Sequence, residues 1–429
     1  MKYLIYTILI ILATISCTST KEPSSTDEDS LDSVDLRQDS LAGYGVNIDT
    51  AKLPRPYATE SADNEGKAIG WSEGNTPQAP TGFTVTKFAA DLEHPRWIYI
   101  GPNDDIFIVE SDDAKKSANR ITLVKDTDND GNPDYKEAFI ENLNQPFGML
   151  ILNGYFYVAN VDAIVRFPYE VGQEKITAEP EKILDLPSGG YNHHWTRNII
   201  LGPDSSKIYI SIGSSSNVGE HGMEKEERRA NVLTINPDGS NEEVYASGLR
   251  NPVGIAFEPT TNTLWAAVNE RDELGDNLVP DYVTSVKQGG FYGWPYAYFG
   301  TNKDPRMADK APEMVAQSII PDVAVGAHTA SLGLAFYDQA SFPAKYKNGA
   351  FVGQHGSWNR STLNGYRVLF IPFKNGKPSG PPEDFLTGFI SNQDKYEVYG
   401  RPVGVAVTRN GSLLVADDDG GTVWKVSAN

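Results

Sequence analysis

One histidine, a few arginines and two groups of carboxylates fall where they could do chemistry together. His194 lies in GGYNHHWTRNIILGPD, residues 189–204, at the start of an apolar strand. Histidine is the side chain best suited to accept a proton near neutral pH. In GLRNPVGIAF, residues 248–257, Arg250 and Asn251 offer fixed donors for a carbonyl or carboxylate oxygen. NERDELGDN follows at 269–277. Its Glu270, Asp272, Glu273 and Asp276, with the main-chain carbonyls between them, are oxygen ligands for a hard cation. GQHGSWNRSTLNGY, residues 353–366, sets Trp358 and Arg360 in an irregular loop.

A second acidic group has a spacing of its own. Asp126, Asp128, Asp130, Gly131 and Glu137 fit the calcium-loop template D-x-D-x-D-G-x5-E, and Asn132 and Asp134 add oxygen donors. The flanks RITLVK and YKEAFI read as strands, so a hairpin turn with a structural ion is expected here. The competing reading is a polar turn that holds no ion.

The elements that must position these residues repeat along the chain. A polar residue, often followed by Pro, leads into a short apolar strand, a Gly/Asn/Asp turn, an alternating strand, a second turn and a third strand. The repeats start at His94, Gln145, His194, Asn251, Ser331 and Arg401, about 50 to 80 residues apart, a period that signals a propeller. The turns PND, LNG, PDSS, PTTN and RNG suit hairpins. The last repeat ends in TVWKVS without a fourth strand, and GFTVTKFA, residues 82–89, has no repeat to belong to. The two are expected to close the ring. The expectation is therefore all-β: a six-bladed β-propeller over residues 80–429, with an array of β-sandwiches as the rival. The first strand of each blade lines the channel, so His94 to Arg96, Gln145, His193 and His194, Arg250 and Asn251, and Arg401 should meet at one mouth. Strand alternation would turn His193 to the face opposite His194.

Composition removes several alternatives. A single Cys excludes an internal disulfide framework, a Cys-based zinc site, an iron–sulfur cluster and covalently attached c-type haem. The formal net charge of −20 argues against nucleic acid as a partner, since such binding relies on basic residues releasing counterions.

The N-terminus reads MKYLIYTILIILATISC, one Lys and an apolar run too short to span a bilayer comfortably. The sole cysteine, Cys17, follows it and resembles the lipidated residue of a loose bacterial lipobox. Residues 1–16 are expected to be a lipoprotein signal peptide, and 17–79 a lipidated, flexible acidic tether. The expected location is the bacterial cell envelope, lipid-anchored at the outer membrane, cell surface or facing the periplasm.

Several long strings share one resemblance: HPRWIYI, NHHWTRN, GSSSN, GLRNPVGIAF, VNERDELGDNLVPDY, GGFYGWPY, GQHGSWNRS and GRPVGVAV. Over about residues 80–427 the chain resembles the soluble quinoprotein glucose/sorbosone dehydrogenases, particularly the sorbosone and pyranose dehydrogenase branch. That resemblance implies a propeller holding pyrroloquinoline quinone (PQQ) beside calcium. It implies His194 as the base, Gln145 near substrate and base, and Arg250 and Asn251 at the quinone. It further implies Arg401 at a cofactor carboxylate, and Arg271 and Asp272 as main-chain calcium ligands. Arg96 and Arg360 are further candidates for the anionic cofactor. In the glucose dehydrogenases an aspartate orients the base; here Ser214 follows Gly213.

The expected activity is oxidation of a sugar or sugar-derived aldehyde, with electrons passing to an external acceptor such as a cytochrome or quinone. Two rivals stand beside it. One is a calcium-dependent propeller lactonase or hydrolase, disfavoured because the blade starts carry Arg, His and Gln where acids would be needed. The other is a non-catalytic surface propeller that binds glycans or proteins.

Overall fold

The apolar runs of the repeats fold as strands because their β-branched and aromatic residues pack on both faces of a layered sheet. IFIVE, for example, forms the strand Ile106–Glu110 with all five residues buried. The computed structural model describes residues 43–113, 117–128, 130–307 and 309–429. Six antiparallel sheets of four or five strands follow one another along the chain. Their first strands are Pro95–Ile100, Met149–Leu152, Arg197–Leu201, Pro252–Phe257, Ala335–Phe336 and Pro402–Val407. Each begins at or a few residues after a repeat start read from the sequence. Among the described residues the α-helical content is one short helix, Pro312–Gln317, and no helix is long and apolar enough to cross a membrane.

In every one of these sheets the first strand is an edge strand, and first strands of successive sheets lie against one another except between the first and second sheets. Glycine permits this approach. A Cβ on Gly404 would lie 2.6 Å from the main-chain oxygen of Arg96, so Pro402–Val407 can meet Pro95–Ile100 only without a side chain there. Between the first two sheets the contact is aromatic, with Trp97 and Phe147 at 4.9 Å and Phe107 and Phe156 at 5.0 Å. Phe107 and Phe156 are fully buried, and truncating such a ring to Ala costs about 3–5 kcal/mol.

Phe83–Ala89 pairs antiparallel with the C-terminal strand Thr422–Ala428, from Phe83↔Ala428 to Ala89↔Val423. The strand ahead of the first repeat thus completes the last sheet, as expected.

The segment 43–79 departs from the tether expected of it. Tyr44–Val46 adds a fifth strand to the fourth sheet, in register with Val323–Ala327. Lys67–Ala68 pairs in parallel with Glu397–Val398. Trp71 stacks on Tyr399 at 4.9 Å and donates from Nε1 to the buried Asp417 carboxylate at 2.6 Å. The reason is local. The polar composition of this stretch hides a few apolar and aromatic anchors, and the outer sheet edges offer unpaired backbone groups for it to satisfy. Residues 1–42, including the expected signal peptide and Cys17, lie outside the described residues.

Candidate active site

The residues at the starts of the first strands, and those just past the ends of the second strands, converge on a cavity of about 420 Å³. Second strands run antiparallel to first strands, so their C-terminal ends return to the same mouth. This brings Asp112 and Asp113, Asn269 and Asp272, His355 and Trp358, and Asp418 and Asp419 to a wall already carrying His94, Arg96, His194, Asn251 and Arg401.

His194 is 6% exposed. Its carbonyl is held by the buried Arg197 guanidinium at 2.9 Å. Its Nδ1 faces two atoms of Ser214, the carbonyl oxygen at 3.0 Å and the hydroxyl oxygen at 2.9 Å. The Ser214 hydroxyl gives its proton to the Ser216 carbonyl at 2.6 Å. Nδ1 therefore meets two acceptors and must carry the ring proton. Nε2 is left with its lone pair, buried and without a partner. Burial first, then the positive charge of Arg250 and the neighbouring His193 ring, holds the His194 pKa well below its usual 6.5. The ring is thus neutral at pH 7 with Nε2 ready to accept a proton. Gly213 makes the arrangement possible: a Cβ there would collide with Asn251 Oδ1 and with the Cβ of His194.

The neighbouring histidine differs from expectation. The first strand begins only at Arg197, so strand alternation does not govern residues 193 and 194. Both rings line the cavity, 4.6 Å apart and nearly perpendicular.

Two guanidinium groups face the cavity, and six carboxylates share its wall: Glu65, Asp112, Asp113, Asp272, Asp418 and Asp419. Arg96 pairs with Asp418, its planar group lies 5.3 Å from the Trp195 ring, and its Nε is buried without a partner. Arg401 donates to the carbonyls of His355 and Gly356 at 3.0 and 3.2 Å. Asp418 also binds His94 Nδ1 and His355 Nε2, each at 2.8 Å. Its pKa is held well below the usual range against its own burial, chiefly by the Arg96 charge. His94, Asp418 and Asp419 lie close enough to share a cation, but Asp418 already has cationic and histidine partners on both oxygens. Asn251 also lines the cavity, with a buried, unpartnered Oδ1.

Other expected site residues are placed elsewhere. The Arg250 guanidinium is fully buried behind the wall, spent on Asn217, Asn269, Glu270 and the Asp272 carboxylate. The Arg271 side chain is buried between Glu270 and Asp304. The carbonyl of Asp272 accepts from Asn217 at 3.3 Å and Arg306 at 2.9 Å, and its carboxylate is held by Arg250 at 2.9 Å and faces His328 Nδ1 at 3.3 Å. Gln145 sits outside the lining, its amide donating to the Asp112 carbonyl at 3.2 Å. Arg360 lines a separate hollow with Asn277 and Arg367. Of the second acidic group, Asp126, Asp128 and Asp130 come together. Asp134 is held by the Thr127 N–H and hydroxyl at 2.9 and 2.5 Å, and Glu137 lies in the strand Tyr135–Ile140. Asn132 donates its backbone N–H to Asp130 at 2.7 Å.

The chain matches the model of the family described as TrAA12-like over residues 77–287 and 297–429. It belongs to that family. Over 370 residues this TrAA12-like chain is 29% identical to an uncharacterized protein of Borreliella burgdorferi, across 82% of this chain and 91% of that one. A pyrroloquinoline quinone-dependent pyranose dehydrogenase of Coprinopsis cinerea is 22% identical over 403 residues, 80% of this chain and 53% of that protein. The chain thus spans about half the length of that relative. Among solved structures, the holo form of the pyranose dehydrogenase PQQ domain from Coprinopsis cinerea superposes with a TM-score of 0.69 at 19% identity. The match covers 84% of this chain and 98% of that one, so the TrAA12-like fold here is the propeller-like fold of that domain.

Proposed function

We propose that this protein is a six-bladed quinoprotein dehydrogenase. It oxidises a sugar hydroxyl, or a hydrated sugar aldehyde, with PQQ and calcium in the cavity and electrons leaving to an external acceptor. The observation that carries the reading is the unpartnered, proton-free Nε2 of His194 in a cavity that also presents Arg96 and Arg401.

PQQ is a planar tricarboxylate, and the residues suit it. Arg96, with a free buried Nε, and Arg401 are donors for its carboxylates, and the unpartnered Asn251 Oδ1 sits beside His194. Six carboxylates on the same wall would repel a trianion, so a divalent cation belongs in the cavity with it. The carboxylates of that wall are the oxygen donors this chain offers that cation. When bound, the quinone supplies the two-electron acceptor. The chain's own residues do the rest. His194 Nε2 takes the proton from the substrate hydroxyl, and Ser214 keeps that ring in the right tautomer and orientation. Buried Arg250 acts at one remove, holding the Asp272 carboxylate at 2.9 Å.

The carboxylate-rich wall gives the calcium-dependent hydrolase reading one specific support, since acids do reach the mouth once folded. Reconstitution separates the two. With PQQ and calcium the purified protein should acquire a bound-quinone absorbance and reduce a dye with sugars. Lactone hydrolysis without PQQ, and no quinone absorbance, would overturn the dehydrogenase reading.

The proposal includes a lipid anchor at Cys17 in the cell envelope, resting on the sequence of residues 1–17. Cys17→Ser should release the protein from membranes; continued membrane partitioning of that variant would remove the anchor from the reading.

A further inference from the structure

A second hollow of about 230 Å³ adjoins the cavity and shares His193, Asp272 and Trp358 with it. Its remaining wall includes Tyr191, Asn217, Glu220, Glu273 and Arg306. Two features set it apart from an ordinary surface dent. Tyr191 and Trp358 are both among the large hydrophobic side chains left exposed, at 50% and 36%, and both border this one hollow. Neither is loosely held. The Tyr191 ring lies parallel to His193 at 5.9 Å, meets His221 edge-on at 4.5 Å, and its hydroxyl is 3.3 Å from His193 Nδ1. The Ser215 hydroxyl donates to the Tyr191 carbonyl at 2.6 Å. The Trp358 carbonyl accepts from the Asn64 N–H at 2.7 Å, and the neighbouring Asn359 binds Glu273 N–H and the Ala62 carbonyl.

The polar groups are equally fixed. Glu220 accepts from the N–H groups of Asn217 and Val218 at 3.0 and 2.7 Å, which favours its charged form as a standing acceptor. Arg306 is held by Asp304 and the Asp272 carbonyl and lies 3.5 Å from Glu273. Aromatic faces that take C–H groups, ringed by paired acceptors and donors for vicinal hydroxyls, are the chemistry of a neutral pyranose ring. With Glu220, Glu273 and Asp272 against Arg306, an acidic sugar would be repelled.

We infer that this hollow is a second saccharide subsite, and that the substrate is a neutral oligosaccharide or glycoside. The ring to be oxidised occupies the 420 Å³ cavity beside His194, and the next ring occupies the hollow bordered by Tyr191 and Trp358. The inference rests on the dehydrogenase reading for the identity of the first subsite. It adds the length and charge of the substrate.

The test is titration calorimetry and tryptophan fluorescence on the protein reconstituted with PQQ and calcium, beside dye-coupled turnover. The probes are glucose, maltose, cellobiose, lactose and digalacturonate. At least one neutral disaccharide should bind about tenfold more tightly than glucose, and digalacturonate should bind no better than glucose. Tyr191→Ala and Trp358→Ala should weaken that disaccharide about tenfold more than they weaken glucose. Trp358→Phe, which keeps a stacking face, should restore most of the difference and guards against a folding defect. If every disaccharide binds no better than glucose, or if the variants weaken both sugars equally, the subsite is overturned. Disaccharide binding that needs Tyr191 but yields no dye reduction supports the subsite and defeats the dehydrogenase reading instead. Glucose oxidation without disaccharide preference does the reverse.

Discussion

His194 Nδ1 lies 2.9 Å from the hydroxyl oxygen and 3.0 Å from the carbonyl oxygen of Ser214, so a single serine orients the base. A carboxylate in that place would stabilise the imidazolium that forms on proton transfer. A serine stabilises it less, but it fixes the same tautomer with neutral groups. The base then works from the lone pair of a neutral ring.

Ser214→Ala removes one of two acceptors and leaves the carbonyl. Turnover of the reconstituted protein is expected to fall about 2- to 10-fold, the net worth of one hydrogen bond. His194→Ala is expected to lose about two to four powers of ten. PQQ titration by absorbance should be nearly unchanged in both. His193 cannot serve as the silent control, because it lines the same cavity.

The rate should report the lowered His194 pKa. The neutral ring is the active form, and protonation abolishes it. Burial, reinforced by Arg250, pushes the pKa down, so the acid limb of kcat/KM against pH should fall well below pH 6.5. Activity should hold from pH 7.5 to 6. A limb centred above 6.5 would exclude His194 as the base.

Stability should respond to a different histidine. The hydrogen bond to Asp418 is the largest cause raising the His94 pKa, which reaches about 9. A raised histidine pKa contributes stability in full below the unfolded value of 6.5, and that contribution is lost as pH rises through about 9. The melting temperature should therefore fall between pH 6.5 and 9.5. His94→Gln should flatten that part of the curve. An identical pH dependence in the variant would show that the Asp418 contact does not couple to folding.

Residues 43–79 should matter for stability although their composition suggests a tether. Trp71→Ala removes the stack on Tyr399, the edge contacts with Phe389 and Trp424, and a donor to Asp417. A cost of about 2–4 kcal/mol is expected, read by urea denaturation. A chain starting at residue 80 should lose more, and its sugar binding should weaken, because Asn64 anchors Trp358 and Glu65 lines the cavity.

What the sequence determined by itself was periodic or local. The repeat starts at His94, Gln145, His194, Asn251, Ser331 and Arg401 anticipated where the first strands begin, because apolar alternation and hairpin turns are nearest-neighbour signals. The closure of Phe83–Ala89 onto Thr422–Ala428 followed from counting strands. His194, Arg96, Asn251 and Arg401 line the cavity because they stand at or shortly before the starts of those strands. Tertiary structure decided the rest. The second strand of each sheet carries its C-terminal end back to the same mouth, so Asp112, Asp113, His355 and Asp418 arrive there although they stand far from the first-strand starts in sequence. ESDD, QHGS and DDD, each straddling the end of a second strand, were the signal that could have found them. Burial decided Arg250. A guanidinium fully removed from water must satisfy its donors within the protein, and the carbonyls of Asn217, Asn269 and Glu270 with the Asp272 carboxylate were the nearest acceptors. No spacing along the chain reveals which acceptors fold closest to a charge. That competition for partners also drew Trp71 onto Asp417 and made part of an apparent tether an integral piece of the fold.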